Sequence, residues 1–188
     1  MPMSVAAPGL EEVAARLAIT DVLHRYCRAM DRMDRELALS CWHPGGTDEH
    51  APLFVGTAEG FVDWVWRIHK PMLLTRHVLS NVQIEIEGNR AWSESYWDVL
   101  LRVRDGEGLT DVTGGGRYLD YLECRNGLWA IVHRRSVHDW DRVDPVGRTM
   151  ADADAVPPNN PGARLHLATR DAHDPSYAFL GGHLTRFD

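Results

Sequence analysis

The 188-residue sequence contains little cysteine, no excess of basic charge and no long apolar run. The three cysteines, Cys27, Cys41 and Cys124, are widely spaced and form no CxxC or Cys/His zinc pattern, so we expect buried, reduced thiols. The formal net charge of −7 argues against a general nucleic-acid surface, because binding to phosphates needs a basic field. The same charge gives no support for binding to an anionic membrane.

We also expect neither a targeting segment nor a membrane-spanning segment in this sequence. Residues 1–8 lack the basic start and the apolar stretch of a signal peptide. No apolar run approaches the length of about 20 residues that a membrane span needs. We therefore expect a cytoplasmic protein that has neither a nucleic acid nor a membrane as partner. The ten histidines show no HxH, HxxxH or facial-triad spacing with a carboxylate in place, so we expect no metal site.

The length suits one domain with a tail, and the hydrophobic fraction of 44% is ordinary for a globular core. We predict a flexible N-terminus over residues 1–9 and a folded domain over residues 10–142. From residue 143 to residue 188 several prolines interrupt any periodic pattern. We expect this C-terminal tail to be irregular and to cover a pocket, either its own or that of a neighbouring subunit.

Helical patterns occupy the first part of the chain. Apolar residues recur at steps of three and four from Leu10 to Met30, which predicts a long amphipathic helix. A second helix is predicted from about Asp34 to Cys41, ended by the Pro-Gly-Gly at 44–46. A short strand is expected over residues 51–55. Thr57 then has the features of an N-cap for a third helix that ends before the proline at 71.

The second part of the chain has the pattern of β-strands. Apolar and aromatic residues occur at even steps, and Glu-Gly-Asn, Asp-Gly-Glu-Gly and Arg-Asn-Gly sequences separate the runs as turns. Four long strands joined by short turns form an antiparallel meander, one face of which needs cover. The three helices can supply that cover, so the predicted class is α+β. The predicted strands are Leu73–Glu87, Ala91–Val103, Thr110–Cys124 and Leu128–Trp140.

Six short segments of the chain together resemble the SnoaL-like branch of the NTF2-like superfamily. They lie between residues 10 and 142, in order and with compatible spacing, and outside the tail. Each alone is weak, and the series is more specific than its parts. The segments are Tyr26–Asp31, Ser40–Pro44, Phe54–Glu59, Thr75–Asn81, Gly116–Asp120 and Glu123–Trp129.

The resemblance implies an NTF2-like cone, in which a curved antiparallel sheet wraps around about three N-terminal helices and encloses a deep apolar pocket. Similar enzymes are of the scytalone dehydratase, bile-acid 7α-dehydratase and hexachlorocyclohexane dehydrochlorinase type. They form a C=C bond by removing a proton and expelling a leaving group, with no metal and no other cofactor. The resemblance thus implies a lyase that acts on a small, largely apolar aromatic or cyclic substrate.

The family's catalytic pair is a histidine base held by an aspartate, and its positions fall on His77 and Asp31. A neutral histidine is an effective base when a carboxylate on its other ring nitrogen fixes the tautomer and stabilises the imidazolium. A polar pocket residue of the family falls on Tyr26, and some relatives use an arginine at the position of Arg125. Tyr26 and Asp31 are five residues apart, about 140° around an ideal helix, so helix geometry alone does not aim both at one cavity.

The position of His77 in its strand predicts a local irregularity. His77 is an odd-numbered position, whereas the apolar residues of the strand are even-numbered; they are Val78, Val82, Ile84 and Ile86. On a regular strand His77 would face away from them. We therefore predict a bulge or bend between His77 and Val82, a device often found beside active sites.

Other residues are candidates for contact with the substrate. Trp42, Trp64 and Trp97 belong to the core or line a pocket for a flat hydrophobic molecule. Arg117 lies in the middle of a predicted strand, where it needs a carboxylate or an anion, and Asp48 or Asp120 could serve. His138 is a secondary candidate, together with its neighbour His133 in the last strand.

Family membership does not by itself settle the reaction. The same dyad could release formaldehyde from lignin-derived diaryl diols by a retro-aldol step, or it could catalyse an isomerisation. An NTF2-like pocket that binds a ligand without catalysis is the alternative of a different class. The resemblance further suggests a homo-oligomer, either a trimer or a dimer.

Overall fold

Three helices and two strands precede the four-stranded meander in the computed structural model, which describes residues 7–147 and 167–179. Helix α1 (Leu10–Arg32) is amphipathic, as its spacing predicts. It ends where Met33 adopts the left-handed conformation (φ 53°) and donates its backbone N–H to the carbonyl of Ala29. Its buried residues all belong to the hydrophobic core; they are Ile19, Val22, Leu23, Tyr26, Cys27, Ala29 and Met30.

Helix α2 (Arg35–Leu39) is shorter than predicted. Asp34 caps its N-terminus by accepting a hydrogen bond from the backbone N–H of Leu37, and the chain becomes extended at Trp42. The predicted continuation of the helix to Cys41 is wrong, because strand β1 (Trp42–His50) pairs with the last strand and its backbone groups are satisfied there. The Pro-Gly-Gly at 44–46 falls within β1, where the pairing is irregular between Trp42 and Thr47.

The next two elements lie near their predicted positions. Strand β2 (Phe54–Thr57) begins three residues later than the predicted strand, after a turn over residues 51–53. Helix α3 (Ala58–His69) is capped by Thr57, whose hydroxyl accepts the backbone N–H of Gly60 at 3.1 Å. The predicted N-cap is therefore confirmed.

The predicted meander is confirmed and is part of a larger sheet. It consists of β3 (Leu74–Glu87), β4 (Arg90–Asp105), β5 (Gly108–Arg125) and β6 (Leu128–Pro145). The described residues form one six-stranded sheet in the order β2-β1-β6-β5-β4-β3. All neighbours are antiparallel except β1 and β6, which are parallel. The fold is α+β, with the helices on one face of a curved, unclosed sheet.

The core lies between the helices and that sheet face, and it contains Cys27 and Cys41. Both are free thiols, and burial raises the pKa of each to about 12, so they remain protonated. Cys124 is also free but only half-buried. The expectation of buried thiols is thus confirmed for two of the three cysteines.

Two further features complete the described structure. Strand β6 continues beyond residue 142, and a short helix α4 (Pro175–Phe179) lies in the C-terminal segment 167–179. That segment packs on the end of α1 of the same chain, where Arg28 donates to the hydroxyl of Ser176. In the described parts of the chain, no helix combines the length and the apolar character needed to cross a membrane.

Candidate active site

The end of α1 and the start of β3 bring Asp31 and His77 together. The Nδ1 atom of His77 lies 2.7 Å from Oδ1 of Asp31, and the backbone N–H of His77 donates to both carboxylate oxygens at 3.1 Å. The side chains are only 8% (His77) and 15% (Asp31) exposed. A carboxylate accepts hydrogen bonds, so Nδ1 of His77 carries a proton, and Nε2 is the ring nitrogen not bonded to Asp31.

The predicted irregularity in β3 is present and explains how His77 faces inward. The register between β3 and β4 shifts between Ser80 and Gln83, and Asn81 adopts φ 50°. Before the shift the odd-numbered Thr75 is buried, and after it the even-numbered Ile84 is buried. The bulge therefore reverses which parity faces the helices.

An apolar cavity of about 250 Å³ lies on the inner side of His77. Aromatic and aliphatic side chains form most of its walls, including Phe61, Trp64, Trp97, Val65, Ile68 and Met72. A few polar groups converge on it, which is typical of a small-molecule site. These polar residues are Tyr26, His50, His69, His77, Tyr118 and Ser136.

Tyr26 and Asp31 border two different spaces that share His77. Tyr26 lines the cavity, whereas Asp31 lines a neighbouring cleft, and His77 borders both. This arrangement resolves the angle of about 140° between the two positions on the helix, because they need not reach the same space. Burial raises the pKa of Tyr26, so its hydroxyl stays protonated.

A second His–Asp pair, which the sequence analysis missed, borders the same cavity. The Nδ1 atom of His50 is hydrogen-bonded to Oδ1 of Asp48. Asp48 is fully buried, and the ring of His50 stacks on Phe61 with centroids 4.5 Å apart. The available signal was the Asp-x-His spacing, which places both side chains on one face of a strand.

His69, at the end of α3, is a third histidine on this cavity and was also missed. Its ring centroid lies 6.0 Å from that of His77, and its Nδ1 has no hydrogen-bond partner among the residues that the structure describes. Burial lowers the pKa of His69 to about 3, with smaller effects from His77, Arg170 and His50. His69 is therefore neutral near pH 7.

The tryptophan candidates divide between the cavity and the packing behind it. Trp64 and Trp97 line the cavity. Trp42 is buried and packs edge-on against Tyr26, with centroids 5.4 Å apart. It supports a cavity residue but does not line the cavity itself.

Three charged candidates do not lie at the cavity. Arg125 is half-exposed in its hairpin and pairs with Glu123 at 2.8 Å. The side chain of His138 is 57% exposed and lies 3.0 Å from Asp141, although its ring is 6.1 Å from that of Trp97. Arg117 alternates with the inward-facing Tyr118 and therefore faces the other side of the sheet.

The expected partners of Arg117 are corrected by the structure. Arg117 pairs with Glu94 at 3.3 Å and with Asp139 at 3.5 Å. Asp48 instead holds His50. Asp120 forms a bidentate, fully buried pair with Arg134, at 2.7 and 2.9 Å. The guanidinium of Arg134 also lies 4.1 Å from the ring centroid of Tyr26, so this pair supports the cavity from behind.

Across residues 7–147 and 167–179, no three His, Cys, Asp or Glu side chains are grouped as metal ligands. The site is thus defined by a curved sheet, a helical cover and an apolar cavity whose wall includes a histidine bonded to an aspartate. The chain belongs to the SnoaL-like domain family, whose pattern matches residues 11–135.

Several solved structures share this fold. A type 2 hexachlorocyclohexane dehydrochlorinase is 17% identical and has a TM-score of 0.66, with coverage of 78% of this chain and 99% of the other. A candidate scytalone dehydratase from Novosphingobium aromaticivorans is 19% identical, with a TM-score of 0.63 and coverage of 73% and 97%. A Mycobacterium tuberculosis protein of unknown function is 23% identical, with a TM-score of 0.60 and coverage of 97% and 93%. No sequence among the curated proteins matches this chain.

Proposed function

We propose that the protein is a cofactor-independent lyase that eliminates a leaving group from a small, largely apolar aromatic or cyclic substrate. The observation that carries the proposal is that His77, hydrogen-bonded to Asp31, lies in the wall of an apolar cavity. A non-catalytic binding protein would not need a histidine with a fixed tautomer and a free nitrogen at its ligand. The names of the dehydrochlorinase and of the candidate scytalone dehydratase add support at the level of the reaction class.

In this proposal Nε2 of His77 removes a proton from a carbon next to a carbonyl or an aromatic ring. Asp31 holds the ring through Nδ1 and stabilises the imidazolium that forms. The carboxylate cannot rotate freely, because it also accepts the backbone N–H of His77 on both oxygens. Tyr26, a protonated phenol at the cavity, donates a hydrogen bond to the substrate oxygen on which charge develops.

The first test compares His77→Gln and Asp31→Asn with His133→Gln. His133 is 41% exposed and does not line the cavity, so its substitution is a control for a lost histidine. We expect both site variants to lose turnover by roughly 10²–10⁴-fold, the usual contribution of a positioned acid or base. Circular dichroism checks that they remain folded. Normal turnover in His77→Gln would refute the proposed function.

The assay compound is 4-hydroxy-4-phenylbutan-2-one, because its products separate the possible reactions. Elimination gives 4-phenylbut-3-en-2-one and water, whereas a retro-aldol cleavage gives benzaldehyde and acetone. An isomerase would leave the mass unchanged. Mass spectrometry of the products therefore distinguishes our proposal from the two alternatives that use the same dyad, and tight binding without any product would favour a binding protein.

A further inference from the structure

The Asp48–His50 pair lies on the same cavity as His77 but is supplied by a different element. His50 ends strand β1, and its ring packs against Phe61 of α3, whereas His77 comes from β3 at the far edge of the sheet. Both rings border the cavity of about 250 Å³. A substrate in this cavity would therefore lie near two imidazoles, one from β1 and one from β3.

The contacts of His50 leave one nitrogen for a ligand. Asp48 occupies Nδ1, so Nε2 is the atom that remains available on the cavity side. The ring is 18% exposed and stacked on Phe61, which restricts its rotation. This combination of an oriented ring and one free nitrogen repeats the arrangement at His77.

The surroundings of the two aspartates differ in charge. Asp31 lies in a cleft beside Arg28 and Arg32, accepts two backbone hydrogen bonds, and interacts favourably with Arg170. Asp48 is fully buried, and its Oδ2 has no hydrogen-bond partner within the described ranges. Arg134, opposite Asp48 in the β1–β6 pairing, donates from Nε and Nη2 to Asp120, and its Nη1 has no hydrogen-bond partner within the described ranges. A buried carboxylate needs a compensating cation, and His50 is the group bonded to it.

We propose that His50, held protonated by Asp48, is the general acid of the site and that the leaving group is a hydroxyl. This inference rests on the proposed function and names its substrate class, a β-hydroxycarbonyl compound. A hydroxyl is a poor leaving group unless it is protonated, whereas a halide departs without a proton. A second charged histidine is therefore needed for one class of substrate and not for the other.

The reaction moves one proton from carbon to His77 and one proton from His50 to the leaving oxygen. Nε2 of His77 takes the proton from the carbon, and the C–H electron pair becomes the new C=C bond. The C–O bond breaks with its electrons on oxygen, and Nε2 of His50 gives its proton to that oxygen. The products are the unsaturated carbonyl compound and water. His77 then returns its proton to solvent and His50 regains one, so no oxidant or reductant is required.

The first experiment reads the protonation of His50 without any substrate. The protein is labelled with ¹⁵N-histidine, and the ring signals are assigned with His50→Gln and His77→Gln. At pH 7 we expect protons on both nitrogens of His50 and on Nδ1 alone of His77. In Asp48→Asn, which keeps the shape of the buried side chain, His50 should lose the second proton. A neutral His50 in the unaltered protein would overturn the proposal.

The second experiment uses two compounds that differ only in the leaving group, 4-hydroxy-4-phenylbutan-2-one and 4-chloro-4-phenylbutan-2-one. We expect His50→Gln to slow release of water roughly 10²–10⁴-fold. Release of chloride, corrected for its rate in buffer, should change less than about threefold, because it needs no acid. Equal losses with both compounds would overturn the acid role of His50.

These experiments separate the two proposals. If His77→Gln keeps normal turnover, the proposed function fails whatever the state of His50. If His77→Gln is inactive while His50→Gln releases water at the normal rate, the lyase proposal stands and the inference about His50 is refuted. His133→Gln is the control for the turnover measurements.

Discussion

At the scale of single residues, the guanidinium of Arg134 is a completely buried charge that needs a buried partner. It is completely buried between the rings of Tyr26 and Tyr118, 4.1 and 4.2 Å from their centroids, and it pairs with the equally buried Asp120. A charge in such a place is tolerated only because its partner neutralises it. The pair therefore fixes the two tyrosines that face the cavity.

We expect Arg134→Met to destabilise the fold by about 3–5 kcal/mol, because it leaves Asp120 buried without a partner. Arg135→Met is the matched control, since the side chain of Arg135 is 54% exposed and its pair with Glu49 is on the surface. Surface pairs of that kind contribute at most about 1 kcal/mol. Urea unfolding followed by fluorescence measures the stability of both variants. Equal losses of stability would contradict the structural role assigned to the Arg134–Asp120 pair.

His69 gives a prediction about acid stability. Its pKa is lowered from 6.5 to about 3 in the folded protein, so between these values the unfolded chain binds a proton that the folded chain does not. Its contribution to stability is complete above pH 6.5 and is lost as the pH falls towards 3. The slope approaches about 1.4 kcal/mol per pH unit.

The test is urea unfolding of the unaltered protein and of His69→Gln at pH 7, 6, 5 and 4. We expect the variant to lose less stability over this range, because the proton-linked part of the loss is removed. His133→Gln should keep the full dependence. If the free energy of unfolding depends on pH in the same way for all three proteins, the prediction about His69 is wrong.

At the scale of elements, the C-terminal segment 167–179 is held on the end of α1, beside the Asp31–His77 pair. Asp174 is buried and organises the segment by accepting the backbone N–H groups of Thr169 and Ser176 and by pairing with Arg32. Arg170 donates to the carbonyls of His69 and Met72 at 2.7 and 2.6 Å. We infer that this segment covers one side of its own subunit's site.

Asp174→Ala should release the segment while leaving the sheet intact. We expect faster amide hydrogen exchange in residues 167–179 and unchanged exchange in the central strands β5 and β6. Asp63→Ala is a control, because Asp63 is 54% exposed and pairs with Arg35 on the surface. Unchanged exchange in the segment would show that Asp174 does not hold it.

At the scale of the whole molecule, the outer face of the sheet is the surface on which a second subunit would be expected. It carries a cleft of about 500 Å³ bordered by Trp92, Leu119 and Tyr121, and Trp92 is 44% exposed. Aromatic residues are enriched at protein interfaces. The homo-oligomer suggested by the family resemblance stays a prediction that sizing by light scattering can check.

The sequence by itself determined the helices, the meander and the need for a bulge. Periods of 3.6 and 2 are local properties, as is the N-cap chemistry of Thr57, so they can be read without knowing what packs against them. The parity conflict at His77 was likewise visible in the strand pattern. The resemblance pointed to Asp31 and His77, whose close approach the structure then displayed.

Only the tertiary structure decided the partners of groups far apart in the chain. Strand β1 was not predicted, because its pairing with β6 joins residues near 45 to residues near 133, and no local pattern records that contact. The buried partner of Asp120 proved to be Arg134, and Asp48 proved to hold His50. Burying a charged group costs free energy unless a partner compensates it, so burial decides which charges must be paired. Burial depends on the folded chain and cannot be read from a local pattern.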